Sequence, residues 1–120
     1  QFSHRQAIGG HHFNLSDISY NAIFDLLMES HFNDNELVAK IAEGDRNAFK
    51  EIYTRHLKEL YRYCTNSIGA REDCEEIIQD VFVSLWERRA ELEIDSLKAY
   101  LFSSVKYKVI HYIKHQAVKR

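Results

Sequence analysis

The feature that most constrains this 120-residue chain is the absence of proline, together with a total of only four glycines. Proline breaks helices by removing a donor and clashing with the preceding turn, and glycine weakens them through its backbone entropy. The glycines stand at Gly9, Gly10, Gly44 and Gly69. Nothing between Gly44 and Gly69, or beyond Gly69, forbids a long helix. All-β folds, with a turn signal about every ten residues, and Gly-rich nucleotide loops are disfavoured.

Hydrophobic periodicity fills those permissive stretches with helices. After Asn33, Asp34 is expected to cap a first helix whose apolar face is Leu37, Val38, Ile41 and Ala42, and Gly44 stops it. Asp45 caps a second helix. Its stripe is Ala48, Phe49, Ile52, Tyr53, Leu57, Leu60, Tyr61 and Cys64, and Ile68-Gly69 ends it. A third helix is expected from about Glu72 to Arg89, burying Cys74, Ile77, Ile78, Val81, Phe82, Leu85 and Trp86. Ala90 to Asp95 reads as a loop. Ser96 then caps a fourth helix with Leu97, Leu101, Val105, Val109 and Tyr112 on one face. Residues 1–33 form an N-terminal extension, partly disordered or a short helix striped by Leu15, Ile18, Ala22, Ile23, Leu26 and Leu27. The expected fold is an all-α, compact bundle of about four helices over residues 34–118, with that extension attached.

The net charge of −2 conceals a strong division along the chain. Residues 1–45 sum to −5, residues 46–71 to +4, residues 72–97 to −7 and residues 98–120 to +6. The last segment holds six basic residues and no acidic one, interleaved with Tyr100, Phe102, Tyr107 and Tyr112. Cations neutralise phosphates and rings stack on unpaired bases, so this mixture suits single-stranded nucleic acid. An acidic segment beside a basic one points to two partners of opposite charge.

No catalytic or metal template fits. No histidine has a glutamate three residues before it, and HExxH and the Gly-Lys-Ser/Thr phosphate loop are absent. His111 and His115 are spaced i, i+4 with no neighbouring carboxylate or thiol in sequence, so no metal site is assigned. Cys64 and Cys74 read as buried core thiols suited to a reducing cytoplasm. Glu72, Asp73, Glu75 and Glu76 stabilise a helix start. No apolar run approaches the length of a membrane span. The reading is a non-enzymatic, cytoplasmic chain with no cofactor and no membrane insertion.

Three blocks in order carry a resemblance: ELVAKIAEGDRNAFKEIYTRHLKELYRYC, REDCEEIIQDVFVSLWERR and LKAYLFSSVKYKVIHYIKHQ. Together they resemble region 2 of bacterial RNA polymerase sigma factors, most closely the extracytoplasmic-function (ECF) group. The resemblance covers roughly residues 34–118. It implies a transcription initiation domain that binds core RNA polymerase and recognises and melts the promoter −10 element. The helix with the IIQDVF block would dock on the clamp coiled coil of the polymerase's largest subunit through Glu76, Gln79, Asp80 and Val83. These four also share one helix face by spacing. The loop from Arg88 to Asp95 and the last helix resemble the reader of the non-template strand of the −10 element. The residues concerned are Arg88, Arg89, Lys98, Lys106, Tyr107, Lys108, His111 and Lys114. An anti-sigma factor is a further partner the resemblance implies.

The match has departures. Tyr107 stands where the family usually has asparagine, and His111 where it often has aspartate. The family's region 4 helix-turn-helix domain is not expected among residues 1–120, which read as either a fragment of a longer protein or a lone region 2 domain. These departures sustain an alternative: a helical interaction domain, a sigma-like decoy or anti-sigma-binding module, without productive DNA binding.

Overall fold

The computed structural model describes residues 7–8, 11–12 and 32–119. Four helices follow one another: α1 (Asp34–Ala42), α2 (Arg46–Ile68), α3 (Arg71–Glu87) and α4 (Leu97–Lys119). The all-α expectation holds. The one addition is a pair of two-residue antiparallel strands, β1 (Ala7–Ile8) and β2 (His11–His12). Gly9 and Gly10 stand between them in sequence. The expected stripe from Leu15 to Leu27 lies outside the described residues.

The helix ends follow from local chemistry, with two corrections. Asn33, not Asp34, caps α1: its side chain accepts the Glu36 amide at 2.8 Å, and the Glu36 carboxylate accepts the Asn33 amide at 2.9 Å. This reciprocal capping box satisfies two orphan donors and leaves Asp34 free of capping duty. Asp34 instead ties α1 to α2. It accepts from Arg55 at 3.0 Å and faces His56 Nε2 at 3.0 Å. The second correction concerns α3, which ends at Glu87 and places Arg88 and Arg89 in the turn beyond it.

Other boundaries match the reading. Asp45 caps α2 through the Ala48 amide at 3.0 Å. Gly69 closes α2 at φ 69° with its amide on the Thr65 carbonyl, a left-handed position that side chains resist. Ser96 Oγ accepts the Ala99 amide at the start of α4.

The apolar stripes meet in one core. All seven residues expected to be buried on α3 are buried, as are Leu97, Leu101, Val105 and Val109 of α4. Phe49 packs edge-on against Phe82 and Trp86 at centroid separations of 6.3 and 5.1 Å, and Tyr53 lies 4.7 Å from Phe82. The stripes are narrower than expected at their margins. Ala42 is exposed, and Leu57 and Tyr61 are half-buried. His56 is buried within the α2 stripe, its polar edge satisfied by Asp34.

Side-chain pairs set the helix register. Glu59 meets Lys98 and Tyr63 meets Phe102, so α2 and α4 run parallel. Tyr112 near the end of α4 meets Asp73 at the start of α3, so those two run antiparallel. The same register sets Ile68, the last residue of α2, level with about Tyr107. Roughly three turns of α4 therefore continue past the end of α2. No helix among the described residues is long and apolar enough to cross a membrane.

Candidate nucleic-acid interface

A groove lies between the C-terminal half of α3 and the N-terminal half of α4. Val81, Ser84 and Arg88 line one wall, and Tyr100, Ser103, Ser104, Tyr107 and Lys108 line the other. Its volume is about 400 Å³, within the range of sites that hold small organic groups. The space has a simple origin. Three serines stand beside the buried stripes, where larger side chains would fill the crossing.

The chemistry of the groove is mixed in a useful way. Arg88 and Lys108 supply positive charge, Tyr100 and Tyr107 supply rings, and the serines supply hydroxyls. Ser104 donates to the Tyr100 carbonyl at 2.9 Å, which fixes its rotamer. Tyr107 is 64% exposed, and its ring centroid lies 4.4 Å from that of His111 one turn on. Lys114 follows on the same side at i+7. A cationic lip with exposed rings can hold a phosphate and stack an unpaired base.

The eight residues expected at this interface do not all gather here. Arg88, Tyr107 and Lys108 line the groove, with His111 stacked on Tyr107. Arg89 turns away from it. Its Nη1 donates to the Trp86 carbonyl at 2.8 Å, and its guanidinium lies 4.2 Å over the Trp86 ring. That cation–π and hydrogen-bond pair closes the end of α3. Lys98 faces α2, with Nζ 3.7 Å from Glu59 Oε1, an exposed pair worth little energy. Lys106 is exposed, and its position two residues before Lys108 turns it about 160° away from it. The groove serines and Tyr100 were not among the expected site residues. In sequence, Ser103 and Ser104 are small residues flanking the α4 stripe, Ser84 is one flanking the α3 stripe, and Tyr100 is one of the aromatics interleaved with the basic residues.

The second expected surface lies on the outer side of α3. Glu76 is exposed, and Gln79, Asp80 and Val83 are half-buried, with Val83 packed against the core. One helix thus gives its inner face to the core, one flank to the groove and its outer side to an acidic surface.

Several titrating groups are held by the packing around these faces. The Tyr112 hydroxyl donates to Asp73 Oδ2 at 2.7 Å, and this bond, then burial, raises its pKa above the ordinary phenol value. Burial, reinforced by Glu75, pushes Tyr53 up to about 12. Burial, then a hydrogen bond with Cys74, pushes the Cys64 thiol up to about 12. A thiol so raised is protonated at neutral pH and is a poor nucleophile or metal ligand. Among the described residues no cluster of three or more His, Cys, Asp or Glu side chains could hold a metal ion.

The span matched in known proteins includes both surfaces. The family model of sigma-70 region 2 matches residues 52–118. The chain is 32% identical over 71 residues to the RNA polymerase sigma factor NccH of Alcaligenes xylosoxydans xylosoxydans, a match covering 58% of this chain and 38% of that protein. It is 35% identical over 52 residues to the ECF RNA polymerase sigma factor SigM of Mycobacterium tuberculosis, covering 43% of this chain and 26% of that protein. The matched part is well under half the length of either relative. No solved structure matches the chain.

Proposed function

The chain belongs to the sigma-70 region 2 family, and from that premise we propose that it binds core RNA polymerase and holds the opened promoter −10 strand. The family is one of transcription initiation factors, and one of the two relatives named above is an ECF sigma factor. Two surfaces divide the proposed work. The outer side of α3, with Glu76, Gln79, Asp80 and Val83, would meet a basic helix of the polymerase. The groove between α3 and α4 would take the non-template strand.

The observation that carries this reading is the groove itself, lying within the span of the family match. Arg88 and Lys108 set a phosphate path, and Tyr107 stands at its rim with His111 behind it. A surface that binds unpaired bases and not the duplex lowers the cost of melting by the difference in binding. No covalent step is required of any residue. The N-terminal residues 1–33 lie outside this work, and residues 34–118 form the proposed unit.

Binding of the full chain to bacterial core RNA polymerase tests the first half, with Asp80→Arg beside it. The reversal sets like charge against a basic partner and should weaken binding roughly tenfold or more, with the helical circular dichroism unchanged. Equal binding by parent and variant refutes the α3 face. Binding lost only from the strand, with polymerase binding intact, would favour the interaction-domain alternative.

A further inference from the structure

Two arginines follow one another beyond α3 and are put to opposite uses. Arg88 is exposed and lines the groove, whereas Arg89 is half-buried against Trp86. The chemistry of the helix end accounts for the difference. The last carbonyls of a helix have no partner within it, and a cation near them is favoured. The last turn of α3 holds no basic residue of its own. Arg89 supplies that charge from beyond the helix. Its backbone amide meets the Trp86 carbonyl at 3.3 Å, and its Nη1 donates to the same oxygen at 2.8 Å. Its guanidinium lies 4.2 Å over the Trp86 ring, and its Nε is buried. The head group is therefore committed to the turn and not offered to solvent.

The same turn holds Arg88. The Arg88 amide donates to the Ser84 carbonyl at 3.0 Å, and the Arg88 carbonyl accepts from the Glu91 and Leu92 amides at 2.9 and 3.2 Å. Ser84 is itself part of the groove wall. Further along the loop, Leu92 and Ile94 pack against the core. The Arg88 backbone is thus bracketed by the helix end before it and the pinned loop after it, with the Arg89–Trp86 contact between. Trp86 is 3% exposed and packs edge-on against Phe49, so this contact ties the turn to the core. A long cation holds a phosphate more tightly where its backbone is already fixed, because less freedom is lost on binding.

We propose that Arg89 is a positioning residue for strand binding: it locks the turn after α3 so that Arg88 is presented to the groove, and it contacts no phosphate itself. This role rests on the groove as the strand's path, so one readout of its test needs no strand. Trp86 is the chain's single tryptophan. In the isolated full chain, acrylamide quenching of its fluorescence should rise about twofold or more in Arg89→Ala, which uncovers the ring, and stay at the parent's level in Arg88→Gln. The second readout is the salt dependence of binding to a single-stranded −10 oligonucleotide, with the full chain held on core polymerase. One phosphate contact is worth about 0.7 in the slope of log affinity against log salt. Arg88→Gln and Arg89→Ala should each flatten the slope by up to about 0.7, and the double variant by no more than Arg88→Gln alone, since both act through one contact. Flattening by about 1.4 in the double variant gives Arg89 a phosphate of its own and overturns the proposal. So does unchanged quenching in Arg89→Ala, or a loss of polymerase affinity equal to the loss of strand affinity, which marks a general loosening of the fold. Strand binding by Arg88→Gln equal to the parent's overturns the groove as the path and this role with it. That outcome is told apart by the quenching change, which remains.

Discussion

The division of α4 into two sides predicts that its cations are not equivalent toward a single strand. Replacing Arg88 and Lys108 with glutamine removes both cations that line the groove. Replacing Lys98 and Lys106 removes the same formal charge from outside it, Lys98 from beside Glu59. Each single-strand phosphate neutralised contributes about 0.7 to the slope of log affinity against log salt, so the groove pair should flatten that slope by about 1.4. Between about 50 and 200 mM salt, this makes the variant's affinity fall about sevenfold less than the parent's. The outer pair should change the slope by less than about 0.3, because neither cation lies along the proposed strand path. The assay is fluorescence anisotropy of a labelled single-stranded −10 oligonucleotide, with the full chain held on core polymerase and salt varied. Equal flattening by the two pairs would refute the groove as the phosphate path. It would leave only a diffuse basic field.

Three further outcomes follow from the packing. Phe49→Ala empties the centre of the Phe49–Phe82–Trp86 cluster and should cost about 3–5 kcal/mol in urea unfolding, enough to threaten a domain of this size. Tyr112→Phe deletes the 2.7 Å bond that ties α4 to the start of α3. It should lower the urea midpoint while leaving the amide exchange of α2 unchanged. Alkaline titration should unfold the domain. The buried Cys64 and Tyr53 are acids whose folded values, about 12, exceed their ordinary values of 9.0 and 10.0. The unfolded chain releases these protons first, so stability is complete below about pH 9 and falls through about pH 12. Cys64→Ala should move the onset of that loss toward pH 10, and an unchanged onset would remove Cys64 as its source.

The sequence discloses the helices more readily than the site, for a physical reason. Burial of α3 rests on a 3.6-residue periodicity written in seven apolar residues, and that pattern is local. The observed cap, Asn33, stands one residue before the expected Asp34 because both adjacent residues are good capping types. Only the Glu36 reciprocity and the distant His56 and Arg55 partners separate their roles. The groove is different in kind. Its walls come from two helices joined by a loop, and its volume depends on what is missing, namely larger side chains at Ser84, Ser103 and Ser104. Periodicity marks where atoms are and not where a crossing leaves space. The charge count of the last segment found Lys98, Lys106 and Lys108 together, but only the helix phase assigns them to different sides. Arg89 shows the same limit: its charge is visible in sequence, but its use against Trp86 depends on where α3 ends.

The helix α3 places the two proposed activities on one rigid body. Its outer side carries Glu76, Asp80 and Val83, and its flank and C-terminal turn carry Val81, Ser84 and Arg88. Seven buried residues between those sides fix the helix against α2 and α4. The C-terminal turn is fixed again by Arg89 on Trp86. A helix so held has little freedom to roll, since a core packed at crystal-like density resists changes of even one methylene. A polymerase helix docked on the outer side would therefore orient the groove directly, with no rearrangement needed between them. It follows that loosening α3 without touching either surface should impair both together. Leu85→Ala, a fully buried position on neither face, is such a change. Its cost of about 2–5 kcal/mol should appear as parallel losses in polymerase and strand binding, measured where the variant is still folded. Loss of one with the other intact would show that the two surfaces are not carried by one body.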